Sequence, residues 1–221
     1  MQYLVTAYMP KNGADGSAGK RTAGKGQMRL VLNDETELFL YASEAKQLSI
    51  QEGMELSEEQ YQYLLHDVIG KRAAKRAMHL LQMQGRTEYQ LREKLLQSGY
   101  PKEAMEDAVS YVKSFRYLDD EGYARNFIRC YQEKRSRLRI QNDLVKRGVP
   151  KALVERCMEE EFSSDESAKI RELLQKKHFS AETADQNELR RMYQFLIRRG
   201  FRHSDVMAQM YPKTNLSFRK M

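Results

Sequence analysis

Three stretches of this chain are written on one plan. "TEYQLREKLLQSGYPKEAMEDAV" starts at Thr87, "SRLRIQNDLVKRGVPKALVERCM" at Ser136 and "ELRRMYQFLIRRGFRHSDVMAQM" at Glu188. Aligned on Gly99, Gly148 and Gly200, their apolar positions coincide. Leu91 falls with Ile140 and Met192, Leu95 with Leu144 and Leu196, and Met105 with Val154 and Val206. The glycines are spaced by 49 and 52 residues. A period of this size means stacked supersecondary units, because one unit cannot bury a large core alone.

Each glycine sits where a helix must end in a left-handed residue, a conformation that a Cβ disfavours. Tyr100, Val149 and Phe201 come next and are placed to fold back on the helix they leave. Pro101 and Pro150 are expected at the first position of the next helix, where a missing N–H costs nothing. A further helix precedes each pair, at Lys71–Gln84, Asp120–Lys134 and Ser167–Lys177. The expected fold is therefore mainly α: tandem three-helix repeats in an elongated, curved helical stack.

Ahead of the repeats lies a small β-rich leader, residues 1–56. Tyr3–Tyr8, Met28–Leu32 and Glu37–Tyr41 alternate as strands do, with Asn33–Thr36 as a hairpin turn. Ala42–Leu48 reads as a helical turn or two. At Ser57-Glu58-Glu59-Gln60 a capping box opens the helical part of the chain. The first repeat is then expected over 57–115, the second over 116–162 and the third over 163–221.

The leader contains a glycine-rich stretch, 11–26, in which Gly19–Lys25 matches most of a nucleotide phosphate loop. The position after the lysine, where magnesium needs Ser or Thr, is Gly26, and Gln27–Leu32 beyond it alternate like a strand. A loop joining two strands is the better reading. Cys130 and Cys157 are the only cysteines, and the four histidines lack metal-ligand spacing. No disulfide framework, metal site or cofactor is expected. No Ser-His-Asp order or pair of metal carboxylates appears, and Asp119-Asp120 reads as the cap and first turn of a helix. The chain is expected to be no enzyme. It shows no membrane span and no signal peptide, which points to a cytoplasmic protein.

Charge separates repeats that share a packing plan. From Arg86 to Val112, four basic residues, Arg92 among them, meet five acids, a net of −1. From Arg129 to Arg156, nine basic residues meet three acids, a net of +6, against +7 for the whole chain. Packing cannot require arginine in one copy and glutamate in another at outward positions. The expected binding residues for a polyanion or acidic partner are Arg129, Lys134, Arg135, Arg137, Arg139, Lys146 and Arg147, with Arg198, Arg199 and Arg202 extending the surface into the third repeat. Arg139, Asn142 and Lys146 share an outward helix face, opposite Ile140 and Leu144. Tyr123, Phe127 and Tyr131 could stack on bases, but their helical spacing favours core packing.

Ala77–Leu81, Thr87–Leu95 with Gly99, "YLDDEGYA" from Tyr117 and "RIQNDLVKRGV" from Arg139 form a further set of motifs. Together they resemble the RecX family of recombination regulators. The resemblance spans about residues 70–160 and is weaker in the third repeat. It departs from the family at Lys134-Arg135-Ser136-Arg137, where a glycine-rich approach is frequent, and in the 11–26 stretch, which looks like an insertion. It implies a non-enzymatic protein of tandem three-helix repeats. Its partner would be the RecA recombinase filament on single-stranded DNA, with direct contact to DNA as well. Such a protein, a monomer, would inhibit ATP hydrolysis and strand exchange in recombination and DNA repair. The alternative is a general DNA- or RNA-binding helical repeat without a recombinase partner.

Overall fold

A computed structural model describes residues 2–10, 27–33 and 35–211. The glycine-rich stretch 11–26, on which the rejected phosphate-loop reading fell, lies outside the described residues. The chain divides between Asp119 and Asp120 into two compact units.

The first unit begins with strands β1 (Tyr3–Pro10), β2 (Gln27–Leu32) and β3 (Thr36–Tyr41), then α1 (Ala42–Gln47) and the short β4 (Glu55–Leu56). They form an antiparallel sheet in the order β3-β2-β1-β4. The β2–β3 hairpin pairs Leu32 with Thr36 and runs to Gln27 opposite Tyr41. Asn33 turns the chain with φ of 51°, a conformation asparagine tolerates better than most residues. Strand alternation aims Leu30, Leu32, Leu38 and Leu40 into one core, and all four are buried.

The helix after Ser57 covers that core. The Gln60 backbone N–H donates to Ser57 Oγ at 3.2 Å, and Gln60 Oε1 accepts from the Ser57 N–H at 2.8 Å, so the capping box forms in full. The helix then changes pitch twice: α2 (Glu58–Gln62) passes into a π-helical stretch, Tyr63–Gly70, and resumes as α3 (Lys71–Met83). The wider stretch buries Leu64, Leu65 and Ile69 against the sheet leucines. From Lys71 onward the buried face carries Ala73, Ala77 and Leu80, which pack with α4 (Glu88–Gln97) and α5 (Lys102–Ser114). One continuous helix thus serves two cores, a role that the sequence pattern did not reveal.

The second unit holds two three-helix sets: α6 (Asp120–Tyr131), α7 (Arg137–Lys146) and α8 (Lys151–Glu161), then α9 (Glu166–Lys176), α10 (Gln186–Arg198) and α11 (His203–Met210). The helices expected before each pair are present, three residues shorter at the C-terminal end for α6 and one for α3 and α9. Leu95, Leu144 and Leu196 are all completely buried, as the alignment required. Truncating any of them to alanine should cost about 2–5 kcal/mol.

The repeat glycines end α4, α7 and α10 with φ of 84°, 85° and 85°. The residue after each glycine donates back to the helix: Tyr100 to the Leu95 carbonyl, Val149 to Leu144 and Phe201 to Leu196. Val149 and Phe201 are buried, so the fold-back also adds apolar packing. The prolines differ in detail from expectation. Pro101 and Pro150 are N-caps, one position earlier than the first helical turn, with extended ψ of 158° and 136°. Their carbonyls accept the first helical bonds, from Met105 and Val154, each at 3.0 Å. Among the described residues no helix is long and apolar enough to cross a membrane.

Candidate functional site

The site grows from the start of α7. Ser136 is its N-cap: Ser136 Oγ accepts from the Arg139 backbone N–H at 3.2 Å, satisfying one of the helix's free donors. The same hydroxyl donates to the Arg199 carbonyl at 2.7 Å, at the C-terminal end of α10. A serine that the local sequence marks as a cap therefore also ties two three-helix sets, and it is fully buried in doing so. Two further bonds reinforce the tie. The Glu166 carboxylate accepts from the Arg137 N–H at 2.9 Å, and Lys169 Nζ donates to the Arg135 carbonyl at 3.1 Å.

These contacts frame a cleft of about 500 Å³ inside the second unit. Lys134, Arg135 and Arg139 line it from the α6–α7 side, with Glu133. Lys169, Lys176, Arg198 and Arg199 line it from α9 and α10, with Glu172, Leu173 and Phe201. Seven cations thus face two carboxylates. A concave wall of one charge concentrates the field more than a convex face does.

Several of the expected cations are engaged within the chain. Arg129 donates to Glu161 at 2.6 and 2.7 Å, and Arg125 donates to Glu121 and Glu161. Arg125 also pairs with Glu160 at 2.5 Å. Hydrogen bonds from Arg129, then from Arg125, hold the Glu161 carboxyl below its usual range. Arg135 pairs with Asp143 at 2.7 Å and lies 4.0 Å above the Tyr131 ring. Arg147 donates to Tyr123 Oη at 2.9 Å and covers Phe127. Arg137 lies over Phe162.

The charge excess counted over 129–156 is therefore partly cancelled by Glu161 and Glu121, acids outside that window that pair with Arg129 and Arg156. Lys134, Arg198 and Arg199 form no ion pair among the described residues. Arg198 donates to its own helix at the Gln194 carbonyl, and Arg199 stacks on Phe195. Arg139 keeps a contact of 3.4 Å to Asp143 and is more than half exposed. Lys146 and Arg202 are exposed and lie outside the cleft.

Two cleft residues escaped the sequence reading, Lys169 and Lys176. Lys169 is only 8% exposed, and burial pulls its ammonium below the usual lysine range. Its helical spacing to Leu173 and Lys176 puts all three on one face of α9, a signal that was there to find. The aromatic run of α6 is core: Phe127 is buried, with Tyr123 and Tyr131 packed beside it. In the first unit Arg92 is held by Glu88 and Glu106, at 2.8 and 2.7 Å. Cys130 and Cys157 are unpaired thiols, and burial raises that of Cys157. Among the described residues no cluster of His, Cys, Asp or Glu is arranged to hold a metal.

A small antiparallel sheet followed by tandem three-helix domains, with Lys134, Arg198 and Arg199 lining a basic cleft between the last two of them, defines a modular helical-repeat protein. Family models described as the first, second and third three-helix domains of RecX match residues 73–111, 119–158 and 164–209. The regulatory protein RecX of Caldanaerobacter subterraneus subsp. tengcongensis is 34% identical over 161 residues, 72% of this chain and 79% of that protein. That of Trichlorobacter lovleyi is 33% identical over 142 residues, 62% of this chain and 92% of that one. The chain belongs to the RecX family of regulatory proteins. A crystal structure of a regulatory protein RecX shares the fold, with a TM-score of 0.57 at 20% identity over 94% of this chain and 98% of that one. RecX from Lactobacillus salivarius gives 0.53 at 16% identity, covering 64% of this chain and 94% of that one.

Proposed function

We propose that the chain binds the RecA recombinase filament on single-stranded DNA and lowers its ATPase and strand-exchange activity. It does so as a cytoplasmic monomer and without catalysis of its own. The observation that carries this reading is the basic junction of the second unit, in a member of a family of regulatory proteins. Lys134, Arg139, Arg198 and Arg199 face the cleft, and Lys146 and Arg202 lie exposed outside it. A nucleoprotein filament repeats its acidic and phosphate groups along a groove, so attraction sums over many contacts and weakens steeply with salt. Arg129 and Arg147, spent on Glu161 and on the α6 aromatics, are left as supports of the helices that carry this surface.

The test is a pull-down of purified recombinase with the tagged chain, with and without single-stranded DNA, alongside the recombinase's DNA-dependent ATPase. Capture that needs both recombinase and DNA, with falling ATPase, supports the reading. Capture of DNA alone at equal strength, with the ATPase untouched, would favour a general nucleic-acid-binding repeat.

A further inference from the structure

The cleft at the α7–α10 junction has a property that a broad docking surface does not need. Its charges converge on a small volume. Lys134 and Arg139 reach it from one three-helix set, and Lys169, Lys176 and Arg198 from the other. Its volume of about 500 Å³ lies within the range of small-molecule sites, about 300–1,000 Å³. Lys169 stands nine-tenths buried, with the Arg135 carbonyl as its hydrogen-bond acceptor and the Phe162 ring 4.9 Å away. A desolvated ammonium facing a carbonyl and a ring gains most from a compact anion that brings its charge close.

We propose that this cleft binds a compact polyphosphate, either pyrophosphate or the phosphate tail of a nucleoside di- or triphosphate. The charge count separates this ligand from a nucleic-acid strand. Seven cations against Glu133, Glu172 and Asp143, which pairs with Arg135 and contacts Arg139, leave an excess of four at the cleft. Pyrophosphate or a triphosphate tail brings about three or four charges into that space, whereas a strand, with one charge per phosphate, brings only about two. Arginine forks and lysine ammonium groups suit phosphate oxygens from several directions. The bound anion would bridge the two three-helix sets, adding to the Ser136–Arg199 tie.

The test is calorimetric titration of the full chain with sodium pyrophosphate at constant ionic strength, followed by competition with ATP. One saturable site with Kd below about 100 μM is expected, about −5.5 kcal/mol. Arg198→Glu and Lys134→Glu should each weaken it at least tenfold, while Lys75→Glu, the same charge change on the first unit, should leave it within twofold. Thermal melts of the exposed-site variants should match the wild type, which separates lost binding from lost fold. Competition by ATP supports a nucleotide tail as ligand, and its absence with pyrophosphate still bound supports the free anion. The proposal is overturned if pyrophosphate shows no saturation by 1 mM, or if all variants bind it alike. It is equally overturned if a single-stranded oligonucleotide, and not pyrophosphate, loses affinity in Arg198→Glu and Lys134→Glu. The titration contains no recombinase, so its outcome is separate from that of the filament assay.

Discussion

Replacing Gly200 by alanine probes the tie between α10 and α7. Gly200 and Gly99 have nearly the same backbone, φ of 85° and 84°. An alanine at either position therefore meets the same left-handed strain, about 1 kcal/mol. The space around them differs. A Cβ on Gly99 would lie 3.4 Å from Phe39 Cδ2, an ordinary contact. On Gly200 it would lie 2.7 Å from Ser136 Oγ and 3.2 Å from the Arg139 nitrogen. The hydroxyl must move, and in moving it gives up the Arg139 N–H and the Arg199 carbonyl. Loss of the cap costs about 0.5–2 kcal/mol, and loss of the second bond about 0.5–1.5 kcal/mol. Gly200→Ala should thus cost about 2–4.5 kcal/mol and Gly99→Ala about 1 kcal/mol. In a Ser136→Ala background the obstructing oxygen is gone, and Gly200→Ala should cost little more than Gly99→Ala. The cycle should show a coupling of about 1–3.5 kcal/mol. Urea unfolding followed by far-ultraviolet circular dichroism gives each value. Equal costs for the two glycine variants, or an additive cycle, would refute the reasoning.

Three further outcomes are expected. Gly148→Val should lower stability by about 1 kcal/mol or more in the same urea assay, since a β-branched residue resists positive φ; an unchanged midpoint would contradict it. Arg129→Ala should leave filament affinity within twofold in a sedimentation assay, because its charge is already spent on Glu161, whereas Arg139→Glu should weaken it severalfold. Lys169→Met removes a buried charge and one donor, so its stability at pH 7 should stay within about 1 kcal/mol of the wild type. Because the folded-state pKa of Lys169 is depressed, the unfolded chain binds the extra proton between the folded and unfolded values. The wild type should therefore gain on Lys169→Met as pH rises from 7 towards 10, and a wild-type stability relative to the variant that falls or stays flat in paired melts would count against that assignment.

Features written in local chemistry were legible from the sequence. The left-handed glycines, the Ser57–Gln60 box and the apolar repeat positions depend on residues a few places apart, and they have the conformation or burial expected of them, except that Met192 is only half-buried where Leu91 and Ile140 are fully so. The π-helical stretch at Tyr63–Gly70 was not legible, because a widened turn depends on how Leu64, Leu65 and Ile69 meet a distant sheet. Charge was legible as a total but not as a surface. Arg129 and Arg156 find Glu161 and Glu121 across 32 and 35 residues of chain, so counting acids within a window overstated the free cations. Ser136 shows both sides. Its capping bond to Arg139 could be read three residues away, but its bond to the Arg199 carbonyl, 63 residues on, needed the fold.

The most direct measurement is binding of the chain to recombinase assembled on single-stranded DNA, by co-sedimentation across a salt series, for the wild type and Arg139→Glu/Arg198→Glu. Both positions are exposed, so folding should change by less than about 0.5 kcal/mol for each. The account expects wild-type binding that falls steeply with salt, and at least tenfold weaker binding by the double variant, about 1.4 kcal/mol, with a flatter salt dependence. Lys75→Glu in the first unit should bind as the wild type does. Salt-insensitive wild-type binding, or equal binding by all three proteins, would contradict a regulator that acts through the basic junction of its second and third domains.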